Sequence, residues 1–213
     1  MPGTITAIRV QKKNPRRANL YLDGEFALGL AVEVVQDFGL HRGQVLSAAD
    51  LEALRQAESR HQAYRDALRL LSYRPRSVSE VRARLAGRGY DPALVEATVA
   101  RLQELGLLDD RAFARAWVES REMLRPRGRQ ALVAELRQKG VSAEVIASVL
   151  DEVLAEDESV RALQMARERA RTLAGLERSA FFRRLQGFLV RRGFSTEVVL
   201  QVVRQVWEEL QAS

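Results

Sequence analysis

The sequence predicts a mainly α protein of three tandem three-helix repeats, preceded by a small β-hairpin or three-stranded segment. Three observations carry that reading. Gly89, Gly140 and Gly193 hold one place in three related stretches, each after a basic residue (Arg88, Lys139, Arg192) and before an apolar one (Tyr90, Val141, Phe194). The apolar register around them recurs, with Val81 and Leu85, Leu132 and Leu136, and Leu185 and Leu189 upstream, and Leu94, Val145 and Val198 downstream. A period near fifty residues (89 to 140, 140 to 193) marks one supersecondary unit written three times. The third observation is at the N-terminus, where Leu20-Tyr21-Leu22 and Phe26-Ala27-Leu28 flank Asp23-Gly24, a two-residue hairpin signal.

The elements follow in order. Residues 1–46 form a basic β segment with a short helix. Ile5 to Val10 alternates loosely, Lys12-Lys13-Asn14-Pro15-Arg16-Arg17 breaks the run, and Pro15 marks the turn. A lone hairpin is marginal in water, so this segment needs a third strand or a helix to pack on. Ala31 to Phe38 reads as a short helix stopped by Gly39. Ser47 with Asp50 three residues on is a capping-box pattern, opening a connecting helix over 47–61.

Repeat 1 spans 62–108. Its first helix ends at Pro75. Ser77 and Glu80 box the start of the second, whose inner face is Val78, Val81 and Leu85. Asp91 caps the third, with Pro92 in its first turn, and Leu94, Val95, Thr98, Val99 and Leu102 face inward. Repeat 2 spans 109–155, lined by Phe113, Trp117 and Leu124, then Leu132 and Leu136, then Val145, Val149 and Val153 behind a Ser142 cap. Repeat 3 spans 156–213. Leu163, Ala166 and Ala170 mark its first helix, and Phe181, Leu185, Phe188 and Leu189 its second. Val198, Val199, Val202, Val206 and Leu210 mark the helix capped by Ser195. Ala155 to Ser159 is an acidic connector.

Composition bounds the function. The 213 residues carry a net charge of +6 and a pI near 10.2, which favours polyanionic partners, nucleic acid first. The chain has no cysteine, no apolar run of membrane-spanning length and no signal-peptide pattern, which fits a cytoplasmic protein. His41 and His61 have no carboxylate or cysteine pattern around them and read as surface residues. No metal-ligand spacing, phosphate-binding glycine loop or nucleophile elbow is present, so no catalytic residue, metal or cofactor is expected.

The chemistry that stands out is Arg74-Pro75-Arg76 and its copy Arg125-Pro126-Arg127, 51 residues apart. Each proline drives the preceding arginine out of helical conformation, so each triplet should sit on the bend between two helices. Arg82, Arg84 and Arg88 continue the first cluster, and Arg129 and Arg137 the second. In stacked repeats equivalent bends line one side, where arginine makes either a row matched to phosphates or carboxylates or an ordinary solvated turn. Lys12, Lys13, Arg16 and Arg17 read either as a hairpin tip that reaches a phosphate backbone or as a charged strand edge that blocks pairing. Tyr73 is either a base-stacking residue or core, and Trp117 and Trp207 are core or inter-repeat residues.

These residues resemble the RecX family of regulatory proteins. Repeat 1 carries L-x-x-R-x-R-S-x-x-E-[VL]-x-x-[KR]-L with R-G-[YF]-[DS], as Leu71, Arg74, Arg76, Ser77, Glu80, Val81, Arg84, Leu85 and Arg88 to Asp91. Leu102, Leu105 to Leu108, Asp109 and Asp110 match the next motif, and Arg125, Gly128, Leu132, Glu135, Leu136, Lys139 and Gly140 the one after. A monomer is expected, and the resemblance implies an elongated, curved array of three units. It also implies a protein that binds the RecA filament, modulates recombination, ATP hydrolysis and coprotease activity, most directly by inhibiting them, and in some members binds single- or double-stranded DNA. It supplies no site residues; the arginine assignments rest on the spacing alone. The reading from a different class is a sequence-nonspecific DNA-binding protein or a transcription regulator. The third helices open on Asp91-Pro92, Ser142-Ala143 and Ser195-Thr196, which suits capping better than base reading.

Overall fold

The computed structural model of the chain describes residues 2–154 and 157–212, so only part of the expected acidic connector, from residue 157 on, lies within the described residues. Two compact units divide the chain: Met1–Arg74 with Val81–Leu107, and Pro75–Glu80 with Leu108–Ser213.

In the first unit, strands β1 (Gly3–Gln11), β2 (Asn14–Leu22), β3 (Glu25–Ala31) and β4 (Val45–Leu46) form an antiparallel sheet in the order β3-β2-β1-β4. The β2–β3 turn has positive φ at both Asp23 (48°) and Gly24 (92°), as a tight two-residue hairpin requires. The β1–β2 turn is Lys12-Lys13, and Pro15 to Arg17 belong to strand β2, not to the turn. Pro15 is tolerated there because the pairing of β2 with β3 begins only at Arg17.

The sheet rests on α1 (Val32–Asp37) and α2 (Ala48–Tyr73). Ile5, Leu20, Leu30, Val34, Leu46 and Leu54 meet in one buried cluster, each contributing about 1.5–3 kcal/mol of transfer free energy. Glu58, buried on α2, accepts from the Arg17 guanidinium (2.8 Å), the Ala31 amide (2.6 Å) and Gln62 (2.6 Å), and so clamps β2 and β3 to the helix.

Helix α2 runs unbroken across the expected division at residue 61. The connecting helix and the first helix of repeat 1 are one continuous helix of 26 residues. Residues 48–73 contain neither glycine nor proline, so nothing ends the helix between them. The box at its start is present: the Asp50 amide donates to Ser47 Oγ (3.1 Å) and the Ser47 amide to Asp50 Oδ2 (2.8 Å). Helices α3 (Val78–Ala86) and α4 (Pro92–Glu104) follow.

The second unit holds α5 (Asp110–Leu124), α6 (Arg129–Gln138), α7 (Ala143–Val153), α8 (Glu158–Ala170), α9 (Arg178–Arg192) and α10 (Thr196–Gln211), together with the first turn of α3. Each helix triplet has its own core. Phe113, Val118, Leu132, Leu136, Ile146 and Val149 fill one; Ala166, Phe181, Leu185, Leu189, Val199 and Val203 fill the other. Trp117 and Trp207 pack at the edges of these cores as expected. Two expected inner residues face out instead: Leu124 is 77% exposed and Leu210 38%. Leu124 is the last residue of α5, where the chain leaves the helix for the bend and no neighbouring helix covers it.

The recurring glycines share one conformation. Gly89, Gly140 and Gly193 have φ of 84°, 78° and 86°, a left-handed turn that residues with a Cβ rarely adopt.

Candidate polyanion-binding surface

Each R-P-R bend is built by the same local logic. In repeat 1, Tyr73 ends α2, Arg74 is extended (φ −166°, ψ 157°), and the Ser77 hydroxyl accepts from the Glu80 amide (3.1 Å) to start α3. In repeat 2, Leu124 ends α5, Arg125 is again out of helical conformation (φ −153°, ψ 80°), and Gly128 starts α6. Proline forces both arginines off the helix. The residue before each triplet, Tyr73 or Leu124, is a large side chain left more than two-thirds exposed. Tyr73 is therefore not core.

The bend residues also fasten successive repeats together, within the second unit. Ser77 Oγ donates to the Lys139 carbonyl (2.5 Å), the Val78 amide donates to Asp110 Oδ1 (2.8 Å), and Lys139 Nζ meets Glu80 (2.9 Å). One repeat later the Gly128 amide donates to the Arg192 carbonyl (2.8 Å), and the Arg129 amide to Glu158 Oε1 (3.0 Å). A helix N-terminus is thus capped each time by a carboxylate from the following repeat, which answers an otherwise unpaired amide and suits the helix dipole. The approach is close: a Cβ on Gly128 would lie 2.2 Å from the Gly193 carbonyl oxygen.

The candidate arginines divide by their partners. In the first unit Arg82 forks onto Glu96 through two bonds (2.6 and 2.8 Å), which holds the Glu96 carboxyl below its usual pKa, and Arg88 pairs with Asp66. In the second unit Arg129 reaches Asp151 (2.6 Å). Arg127 lies 3.6 Å from Glu135 and donates to the Arg191 carbonyl (3.3 Å). Arg74, on the first bend, is exposed, and Arg76 half-buried. Arg84 and Arg125 are exposed and, among the described residues, face no carboxylate within ion-pair distance.

Sequence reasoning missed Arg192. It is held beside Arg125 and Arg127, and burial together with those two like charges lowers its pKa from the usual arginine value. Its guanidinium lies over the Phe188 ring (5.2 Å). Three guanidiniums at one bend, with Glu135 already occupied by Arg121 (2.8 Å) and the Trp117 indole N–H (2.8 Å), leave a concentrated positive field. The motif gave no sign of this, because Arg192 comes 65 residues after Arg127 and only the packing of α9 on the bend unites them.

The N-terminal candidates separate as well. Lys12, Lys13 and Arg16 are exposed around the first hairpin turn. Arg17 turns inward to Glu58 (2.8 Å) and the Gly29 carbonyl (2.8 Å) and ties β2 to α2 and β3. His41 is exposed, but His61 is half-buried, with Nε2 3.9 Å from Glu33. Among the described residues no group of acidic, histidine or cysteine side chains is arranged to hold a metal, and no helix is long and apolar enough to cross a membrane.

A small antiparallel sheet followed by three-helix repeats with capped helix starts and arginine-bearing bends defines a helical-repeat protein. The comparisons make this specific. The profile of the regulatory protein RecX N-terminal domain matches residues 3–47, and those of the RecX first, second and third three-helix domains match 63–102, 109–150 and 156–203. The chain is 42% identical over 146 residues to "Regulatory protein RecX" of Mycobacterium sp. (strain JLS), covering 67% of this chain and 80% of that protein. It is 30% identical to the Bacillus subtilis (strain 168) protein of the same name over 95% of this chain and 76% of that one. A crystal structure of regulatory protein RecX aligns with a TM-score of 0.75 at 27% identity, covering 95% of this chain and 98% of that one. The chain belongs to the RecX family of regulatory proteins.

Proposed function

We propose that the chain is a non-enzymatic, cytoplasmic regulator of the RecA recombinase that binds the RecA–DNA filament and inhibits its recombinase, ATPase and coprotease activities in DNA repair, homologous recombination and the SOS response. Membership of the RecX family is the observation that carries this reading. The bends support it, since each carries arginines beside an exposed apolar or aromatic side chain, and arginine and tyrosine are common anchors in protein interfaces. A filament repeats, and a monomer with repeated contacts gains affinity from their linkage, without any active site. Contact with two adjacent protomers then favours one filament state over another. A transcription-regulator reading is disfavoured, because Asp91, Ser142 and Ser195 spend their side chains capping α4, α7 and α10.

The test is RecA-catalysed ATP hydrolysis on single-stranded DNA, with this chain titrated far below the RecA concentration in salt that abolishes its own DNA binding. Substoichiometric inhibition is the expected result. Inhibition only at saturation of the DNA would refute action on the filament.

A further inference from the structure

A second basic site lies wholly within the first unit, along the C-terminal half of α2 and up to the start of the first bend. A cleft of about 580 Å³ opens between strand β2 and helix α2, lined by Arg16 of the strand and by Gln62, Arg65, Arg69 and Ser72 of the helix. Residues 62, 65, 69 and 72 recur at helical spacing, so they form one face of α2. Arg16, Arg65 and Arg69 are exposed and, among the described residues, lie within ion-pair distance of no carboxylate. The one acidic side chain on the wall, Asp66, is already occupied by Arg88 and by the Tyr90 hydroxyl (2.9 Å). The other cation on the wall, Arg17, is neutralised by Glu58. The cleft therefore carries an uncompensated charge from three arginines. Lys12 and Lys13 extend it at the adjoining turn. Tyr73, 71% exposed, stands one helical turn beyond Arg69 at the end of the same helix.

We propose that this cleft binds single-stranded nucleic acid, with Arg16, Arg65 and Arg69 on successive phosphates and Tyr73 stacked on a base. The charge selects a polyanion and the concave wall selects a strand that can enter it. Arg65 and Arg69 are one helical turn apart, about 6 Å along the axis, which lets each guanidinium take its own phosphate. The exposed aromatic beside the cation row separates nucleic acid from an acidic peptide, since every base offers a ring face to stack and a carboxylate chain offers none. It also separates single strands from duplex, whose bases are already stacked on one another.

The experiment measures binding of a fluorescein-labelled thymidine oligonucleotide by anisotropy across a salt series, with no RecA present. Its outcome is thus independent of the filament reading. R65A/R69A is expected to weaken binding at least tenfold and to lower the salt slope by about 1.4, the loss of two single-strand phosphate contacts. R65K/R69K should keep the wild-type slope, and unchanged circular dichroism in both variants establishes that the fold is intact. Y73A should lose about tenfold while Y73F binds as wild type. The proposal is overturned by an unchanged slope in R65A/R69A, by equal affinity for duplex of the same sequence, or by displacement of the oligonucleotide by poly-glutamate at matched charge.

Discussion

The main-chain amide of Val78 donates to the carboxylate of Asp110 across a junction between repeats, at 2.8 Å, and Arg129 repeats the bond to Glu158 at 3.0 Å. The acidic residues that open the first helices of repeats 2 and 3 therefore act on the second helix of the repeat before. Asp110→Ala is expected to cost about 1–2 kcal/mol, the loss of a cap together with a charge-assisted bond, and Asp110→Asn less. Urea unfolding of the two variants checks this. Equal stability of Asp110→Ala and wild type would show that the junction does not need the carboxylate.

Gly128 stands where backbone meets backbone. A methyl group there would lie 2.2 Å from the Gly193 oxygen and 2.4 Å from the Phe194 amide nitrogen, neither of which is a flexible side-chain end. Gly128→Ala should destabilise the second unit by about 1–3 kcal/mol, as overpacking does. A thermal melt reads the effect, and a melting temperature at the wild-type value contradicts the close approach.

Tyr90 sets an alkaline limit. Burial and its hydrogen bond to Asp66, reinforced by the Asp66 charge, push its pKa up to about 12 from 10.0. A group whose folded pKa is raised contributes stability that is whole below its unfolded value and is lost as pH rises through the folded one. Stability should be flat below about pH 10 from this group and fall between about pH 10 and 12. Tyr90→Phe should remove that component of the fall. Phenolate absorbance against pH, followed alongside the melt, tests both statements.

The candidate arginines call for different substitutions. Arg127 is half-buried among Glu135 and the Arg191 carbonyl, so replacing it disturbs packing as well as charge. Arg84→Ala with Arg125→Ala touches exposed side chains, and should change the melting temperature by little, within about 0.5 kcal/mol, while weakening inhibition of RecA several-fold. Inhibition at the wild-type level would remove these arginines from the contact surface.

Deleting residues 1–30 does not isolate the N-terminal charge, because Ile5, Leu20 and Leu30 belong to the core shared with α1 and α2. Lys12→Ala, Lys13→Ala and Arg16→Ala together spare that core. The triple variant should reduce DNA affinity more than it reduces inhibition, with the two measured in parallel. Equal loss of both properties would deny that they are separable.

Much of this molecule was legible in the chain alone. The repeat, the glycine turns at 89, 140 and 193, the Asp23-Gly24 hairpin and the caps at Ser47, Asp91, Ser142 and Ser195 are local: each follows from the conformations open to a few adjacent residues. So are the two arginine bends, since proline acts on its immediate neighbour. What only the tertiary structure decided is which charges meet. Arg17 pairs with Glu58 while Arg16, one residue away on the same cleft, stays exposed, because of the two only Arg17 comes within ion-pair distance of a carboxylate among the described residues. Arg192 joins Arg125 and Arg127, and Asp110 finds Val78, through packing between repeats. Propensity and spacing act over a few residues, whereas the strength of a charge is set by whatever the fold brings within a few ångströms of it.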